Sequence, residues 1–392
     1  EVHKGSDERV VILIDEYDKP LIDNMSNKEV YDKVKRALHD FYQVIKASDE
    51  HIKFMFMTGV SKFAGLSIFS ALNNLYDITM DGEFSTICGY TQEELEYSFR
   101  EHIGSTAESM GINKEELLRE IKYWYNGYSW DGKIFVYNPF STLAFFKSKE
   151  FKGYGYETGT PTFLIEQIRK RDEIGRFTGS RKVEMESLRG EGNENIETTA
   201  LEFQTGYLTI KKKEYVERTM WYTLDFPNYE VERAFINSLM KEYTFRSIEE
   251  IWEINKKIGK ALKEKDVEGL EGSLGELYAN IPYDLHIGEE KYYHSLFLLT
   301  MSLIGYEVEG EVHTDKGRAD AILRKEESVI VVEIKYVKEK GSKIGSKVKE
   351  AMCQIKERKY YEKYIKRKEE VALLGIVFGE KKEIRCKFER VN

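Results

Sequence analysis

Val329-Ile330-Val331-Val332-Glu333-Ile334-Lys335-Tyr336 is an apolar run, rich in β-branched residues, that closes on an acid and a base two positions apart. It reads as a buried strand. Side chains alternate between faces along a strand, so Val329, Val331, Glu333 and Lys335 share one face and Ile330, Val332 and Ile334 the other. Glu333 and Lys335 therefore project side by side from its end. Upstream, Lys325-Glu326-Glu327-Ser328 reads as a turn and Arg318 to Leu323 as the returning strand, with Asp320 and Ile322 on one face. If the two strands pair through that turn, Asp320 falls near Glu333, and two carboxylates meet one ammonium at an edge of the sheet. Two carboxylates repel unless a cation joins them, and oxygen ligands suit Mg²⁺ or Mn²⁺. A metal-held water can then attack phosphorus, with Lys335 positioning it or stabilising charge on the phosphate. The same spacing also suits a surface Glu–Lys pair that closes a strand, with Asp320 in a turn. Spacing alone leaves both readings open.

The surrounding sequence extends the pattern. Glu290 to Ile304 places Tyr293, Leu296, Phe297, Met301 and Ile304 on one helical face, and Gly305 follows as a C-cap. Tyr306 to Val312 alternates as a strand, and Thr314 to Gly317 is a turn. A long helix is expected from Gly345 to about Tyr364, then a last apolar strand from Val371 to Phe378. The expected order is α-β-β-β-α-β. At the other end, Val10 to Ile14 reads as a buried parallel strand running into Asp15-Glu16. A helical stretch leads to about Ser48, and Ile52 to Met57 is a second strand, ending in Thr58-Gly59. Strand, helix, strand points to an α/β layer. Thr91 with Glu94 forms a capping box. Asn126-Gly127-Tyr128 and Trp130-Asp131-Gly132 are turn signals around a hairpin. Residues 160–205 read as helical with a loose stretch at 189–198, Gly206 to Ile210 and Met220 to Leu224 as one hairpin, and 230–280 as helices.

Composition bounds the function. The chain of 392 residues is 41% hydrophobic and 33% charged, which is enough for two or three packed domains. No apolar run approaches the ~20 residues that span a bilayer, and no signal peptide opens the chain. A cytoplasmic protein is expected. Cys88, Cys353 and Cys386 form no CxxC pair and fit reduced, small hydrophobes. No cysteine accompanies His286 and His294, so a zinc site is not expected. The net charge of −9 argues against a nucleic-acid partner. Residues 335–392, however, hold eighteen Lys/Arg against nine Asp/Glu, so this stretch is +9 and the rest −18. That asymmetry fits a C-terminal domain that meets phosphates, and equally a solvated Lys/Glu surface.

Gly317-Arg318-Ala319-Asp320-Ala321 followed by Val331-Val332-Glu333-Ile334-Lys335-Tyr336 resembles the D…ExK signature of the PD-(D/E)XK nuclease superfamily. It is similar in particular to the branch at the C-terminus of bacterial and archaeal AAA-ATPase-like proteins. Glu290-Lys291-Tyr292-Tyr293-His294 resembles that branch's first-helix motif, Glu311-Val312-His313-Thr314 its strand, and Ala351-Met352-Cys353-Gln354-Ile355-Lys356 with Tyr360-Tyr361 its last helix. The resemblance implies Asp320 and Glu333 as metal ligands for Mg²⁺ or Mn²⁺ and Lys335 as the catalytic lysine. It implies Glu290 as an accessory acid and Gln354 as a supporting polar group. Glu311 stays open between site acid and strand surface, and Arg318 between phosphate contact and ion pair.

Val11-Ile12-Leu13-Ile14-Asp15-Glu16-Tyr17-Asp18-Lys19-Pro20 resembles the Walker B segment of the same proteins. Thr58-Gly59-Val60-Ser61-Lys62 resembles their next strand with its sensor residue. Tyr125-Asn126-Gly127-Tyr128, Tyr137-Asn138-Pro139-Phe140 and Thr158-Gly159-Thr160-Pro161 resemble their middle region. Asp15, Glu16 and Thr58 would then serve ATP and its Mg²⁺. No G-x-x-x-x-G-K-[ST] loop occurs, so ATP is expected only in a longer form, this chain being a fragment or a shortened member. The first sheet would be incomplete, with a homo-oligomer or another partner covering it.

The expected fold is α/β and multidomain. Residues 1–88 form a partial P-loop ATPase-like layer, 89–280 a mostly helical middle region with a hairpin, and 281–392 a restriction-endonuclease-like αβββαβ domain. The expected function is a Mg²⁺-dependent nuclease acting on DNA ahead of RNA. The alternative is a non-catalytic nucleotide-sensing or partner-binding scaffold on a nuclease fold.

Overall fold

The computed structural model describes residues 8–24, 27–60, 75–155, 164–165, 168, 180–189, 198–281, 290–314, 317–337, 343–365, 370–379 and 383–391. Ser61, Lys62, the Thr158–Pro161 motif, most of the loose stretch at 189–198 and the 315–316 turn lie outside them, as do the side chains of Glu311 and Arg318. The chain divides into two compact units, residues 1–167 with 180–232, and residues 168–179 with 233–392. The three-part limits at 88 and 280 stand apart from this division and remain proposals.

In the first unit β1 (Val10–Ile14) pairs in parallel with β2 (Ile52–Met57) across α1 (Lys28–Ala47). Parallel neighbours need such a crossover. The side chain of Asn27 caps α1 by accepting from the Val30 N–H. Ile12, Ile14, Met55 and Met57 pack with Tyr42 and Ile45 of α1. β1 was expected to be buried on both faces. Instead Val11, Leu13 and Phe54 are 51%, 72% and 54% exposed, because among the described residues only one face of this two-stranded sheet is covered.

The helix Gln92–Ser98 carries the expected capping box between Thr91 and Glu94. The helix Arg100–Met110, α2 (Lys114–Tyr125) and α3 (Pro139–Ser148) bury Ile103, Ile121, Tyr125 and Phe145 in one core. The expected hairpin forms between β3 (Asn126–Tyr128) and β4 (Val136–Tyr137), closed by Asp131, whose Oδ1 accepts from Lys133 N, Ile134 N and Ser129 Oγ. One strand was missed: β5 (Arg181–Glu184) lies within the stretch expected to be helical. It adds to the hairpin of β6 (Thr209–Val216) and β7 (Thr219–Asp225) by pairing with β7, so the sheet runs β5-β7-β6. Four residues of mixed polarity give no period, and only the neighbouring strand makes them extended.

The unit division falls within α4 (Tyr229–Thr244). The second unit continues through α5 (Ile248–Glu264) and α6 (Val267–Tyr278), with Ser247 and Glu250 forming a second capping box. α7 (Glu290–Leu303) then leads into β8 (Glu307–Thr314), β9 (Gly317–Lys325), β10 (Ser328–Val337), α8 (Lys343–Arg358), β11 (Glu370–Gly379) and β12 (Ile384–Val391). The sheet order is β12-β11-β10-β9-β8, with β10 and β11 parallel and every other pair antiparallel.

This extends the expected αβββαβ order by β12, whose mixed sequence lacks an apolar run because its residues alternate between buried and open. α8 also stops earlier than expected. Lys359 turns back at φ +52°, and Glu362–Ile365 is a separate short helix. α8 covers one face of the sheet through Met352 and Ile355 on Val329, Val331 and Leu373. On the other face Tyr293 of α7 stacks on Tyr336 and Phe378, and Tyr278 of α6 meets Phe378.

Candidate active site

β9 and β10 pair in register from Lys325–Ser328 to Ala321–Val332. The ladder stops there, and Asp320 and Glu333 are the next residues along the two strands, on the face that this register continues. Facing residues of an antiparallel pair share a face, so both lie on the side of Val331 and Ile322, under α8. Here a side chain takes the place of a ladder bond, and the Ile334 N–H donates to Asp320 Oδ2 at 2.7 Å. On its other edge Glu333 is level with Gly375, and Lys335 with Val377. A Cβ on Gly375 would come within 3.1 Å of Met352 Sδ, so the missing side chain lets α8 approach beside Glu333.

Glu333 is fully buried. Its Oε1 accepts from Lys335 Nζ at 2.8 Å, while Oε2 is buried with no hydrogen-bond partner. Burial, and then the charge of Asp320, push its pKa from the ordinary 4.5 to about 7, against the bond and charge of Lys335. Glu290 adds to the push. For Lys335, burial pulls the pKa down, but the bond to Glu333 and the charges of Glu333, Glu290 and Asp320 outweigh it and hold the ammonium above its usual range.

The two remaining expected residues reach the site indirectly. Glu290 opens α7, and its Oε2 accepts from the Tyr336 N–H at 3.3 Å. Gln354 lies close enough to buried Tyr360 for its side chain to favour the ionised phenol. Burial and then the charge of Glu333 raise the Tyr360 pKa, with Asp320 adding to it, so the phenol lies within the field of the acid pair. Sequence reasoning left Tyr360 out of the site, and also His294, whose Nε2 lies 2.9 Å from the Asp320 backbone oxygen. The signal for His294 was its place four residues after Glu290. For Tyr360 it was the Tyr360-Tyr361 pair that carried the resemblance to the last helix, although Tyr360 sits in the turn after α8.

A buried oxygen without a donor is costly, and a cation at Oε2 removes that cost. Asp320 and Glu333 supply the hard oxygen ligands that suit Mg²⁺ or Mn²⁺, so the residues fit a divalent ion. Among the described residues no group of three or more His, Cys, Asp or Glu is placed to hold a metal. An ion here would rest on two carboxylates, with water or substrate oxygens completing its shell, as Mg²⁺ commonly does.

In the first unit the structure brings Asp15 and Thr58 together. Thr58 Oγ1 and the Glu16 N–H (2.9 Å) both donate to Asp15 Oδ1. Glu16 lies beside them at φ +50°, and buried Asp18 accepts from the Val60 N–H at 3.0 Å. All three expected residues thus stand at the ends of two parallel strands.

Residues 1–69 match a family described as Predicted AAA-ATPase, and residues 288–388 match the PD-(D/E)XK nuclease superfamily. A protein of Azotobacter chroococcum mcd 1, described as an uncharacterized protein in the vnfD 5′ region, is 35% identical over 393 residues. That likeness spans 97% of this chain and 71% of the relative. No helix among the described residues is long and apolar enough to cross a membrane.

Proposed function

The chain belongs to the AAA-ATPase-like proteins that carry a C-terminal PD-(D/E)XK nuclease superfamily domain, and on that premise we propose that it is a divalent-metal-dependent nuclease that hydrolyses phosphodiester bonds, of DNA ahead of RNA. The observation that carries the reading is Glu333: a fully buried carboxylate, tied through Oε1 to Lys335, its Oε2 unpartnered, within the field of Asp320.

Asp320 and Glu333 would hold the ion, which when bound supplies an acidified water and neutralises charge on the phosphate. Lys335 is held charged by its acidic neighbours and, at 19% exposure, stays open to an incoming phosphate oxygen. Its ammonium would stabilise the charge that builds there. Tyr360, with Gln354 beside it, would present a phenol near the acid pair. In the first unit Asp15, Glu16 and Thr58 support a site for the Mg²⁺ of ATP, to be completed by a phosphate-binding loop in a longer form.

The test is Mn²⁺ calorimetry on the wild type and Glu333→Ala, with both incubated in Mg²⁺ with single-stranded and duplex DNA and RNA. Binding and cleavage in the wild type, both lost in the variant, are expected. Wild-type protein that binds no metal and cuts nothing would sink the reading and favour a binding scaffold.

A further inference from the structure

The ladder between β9 and β10 runs to Ala321–Val332, yet the acid pair lies beyond it. Past that point the edge of β10 that faces β9 presents the N–H groups of Ile334 and Tyr336, two residues apart and so directed the same way. Both are taken by side chains, Ile334 by Asp320 Oδ2 at 2.7 Å and Tyr336 by Glu290 Oε2 at 3.3 Å. On the facing strand the Asp320 carbonyl pairs with His294 Nε2 at 2.9 Å. A carbonyl only accepts, so Nε2 carries the hydrogen. Glu290 and His294 are four residues apart on α7 and share a helix face.

From this geometry we propose that the first turn of α7 is a clamp on the fork between β9 and β10. His294 positions Asp320 through its backbone, and Glu290 positions the end of β10 just past Lys335. This rests on the nuclease reading of the site and deepens it. Glu290 becomes a positioning residue rather than an accessory acid.

One turn of one helix bonds both strands where they leave each other, and it bonds each by a backbone group. The strand separation is thereby fixed independently of the charges it serves. With Oδ2 of Asp320 held by Ile334 and Oε1 of Glu333 held by Lys335, the oxygens left for an ion are Asp320 Oδ1 and Glu333 Oε2. Without His294, the Asp320 peptide can rotate and carry Oδ1 away from Oε2. A ligand held by such an outer hydrogen bond typically loses 10–100-fold in metal affinity when the bond is removed.

The test uses the full chain with His294→Leu, His294→Gln, Glu290→Leu and Glu290→Gln. The Gln side chain at 294 keeps a donor, and the Gln at 290 keeps an acceptor but no charge. Mn²⁺ calorimetry is expected to show a 10–100-fold loss for both Leu variants and recovery to within about three-fold for both Gln variants. Cleavage should fall in kcat for the Leu variants with KM for nucleic acid little changed. Amide hydrogen exchange in metal-free protein should rise by about ten-fold or more at Ile334 in His294→Leu, and at Tyr336 in Glu290→Leu, with protection kept in the Gln variants.

Glu290→Gln losing as much metal affinity as Glu290→Leu would make Glu290 a ligand and overturn its place in the clamp. His294→Leu with wild-type metal affinity, or with unchanged exchange at Ile334, would overturn that of His294. Wild type without metal binding or cleavage would sink the nuclease reading instead, and the exchange measurement would still decide the clamp.

Discussion

Replacing Glu333 by Gln should stabilise the metal-free protein at alkaline pH. The carboxyl of Glu333 titrates near 7 in the folded chain against an ordinary 4.5, through burial first and the charge of Asp320 second. That rise corresponds to about 3 kcal/mol. The folded state holds this proton more tightly than the unfolded state. Below about pH 4.5 the carboxyl is neutral in both, and the acid costs nothing. As pH rises from 4.5 to 7, the unfolded chain ionises first and the fold loses stability. Above 7 the full cost is present.

Gln resembles the neutral acid in size and leaves one unpartnered polar group at the Oε2 position, as the acid does, so that contribution cancels. The Gln variant should therefore match the wild type near pH 4.5 and exceed it by about 3 kcal/mol above pH 7. For a unit of this size that is roughly 6–12 °C in Tm. Urea unfolding of both proteins in EDTA at about pH 5 and about pH 8.5 reads the difference. Adding Mg²⁺ or Mn²⁺ at a hundred times its Kd should return about 2.7 kcal/mol to the wild type and nothing to the variant. An advantage for Gln that is absent at pH 8.5, or the same at both pH values, would refute the burial argument.

Gly127→Ala should unfold or severely weaken the first unit, by about 3 kcal/mol or more, because φ is +120° and a Cβ would lie 2.0 Å from the Pro227 oxygen. Thermal melts read it, and a wild-type melt would contradict the packing. Gly375→Val should cost about 1–3 kcal/mol by driving α8 away from the sheet beside Glu333, while Gly375→Ala should cost less because Met352 can yield. A thiol reagent on native protein should label exposed Cys88 and Cys353 quickly and Cys386 only on unfolding, since Cys386 is buried and burial pushes its thiol far up. Lys335→Met should abolish cleavage and move the Glu333 carboxyl still further above 7, because its one bonded cation is gone. NMR titration of the carboxyl reads that shift, and an unchanged midpoint would remove Lys335 from the account.

Much of the site was written in local pattern. An apolar run with period-2 geometry put Glu333 beside Lys335, and a two-residue turn fixed the register that carries Asp320 to the neighbourhood of Glu333. The capping boxes at Thr91 and Ser247 and the hairpin around Asn126 follow from rules that act over a few residues, and the parallel pairing of β1 with β2 from the strand-helix-strand order. Tertiary structure alone decided the rest. β5 is a strand because β7 offers it an edge, and β12, though its residues alternate, lacks the apolar run that would mark it and takes its place by pairing with β11. The exposed face of β1 comes from what lies over the sheet, and an apolar run cannot report its own cover. The raised pKa of Glu333, its orphaned oxygen and the approach of Tyr360 depend on α8 closing over Gly375, two elements apart in the chain. The bonds from α7 to Asp320 and Tyr336 exist because the strands part at that point, and no periodicity marks where a ladder ends. Sequence named Asp320, Glu333, Lys335 and Glu290 as groups of the candidate site, and the fold adds His294 and Tyr360 to them. Their protonation, spacing and supports came from burial and from contacts distant in the chain, which only the assembled fold creates.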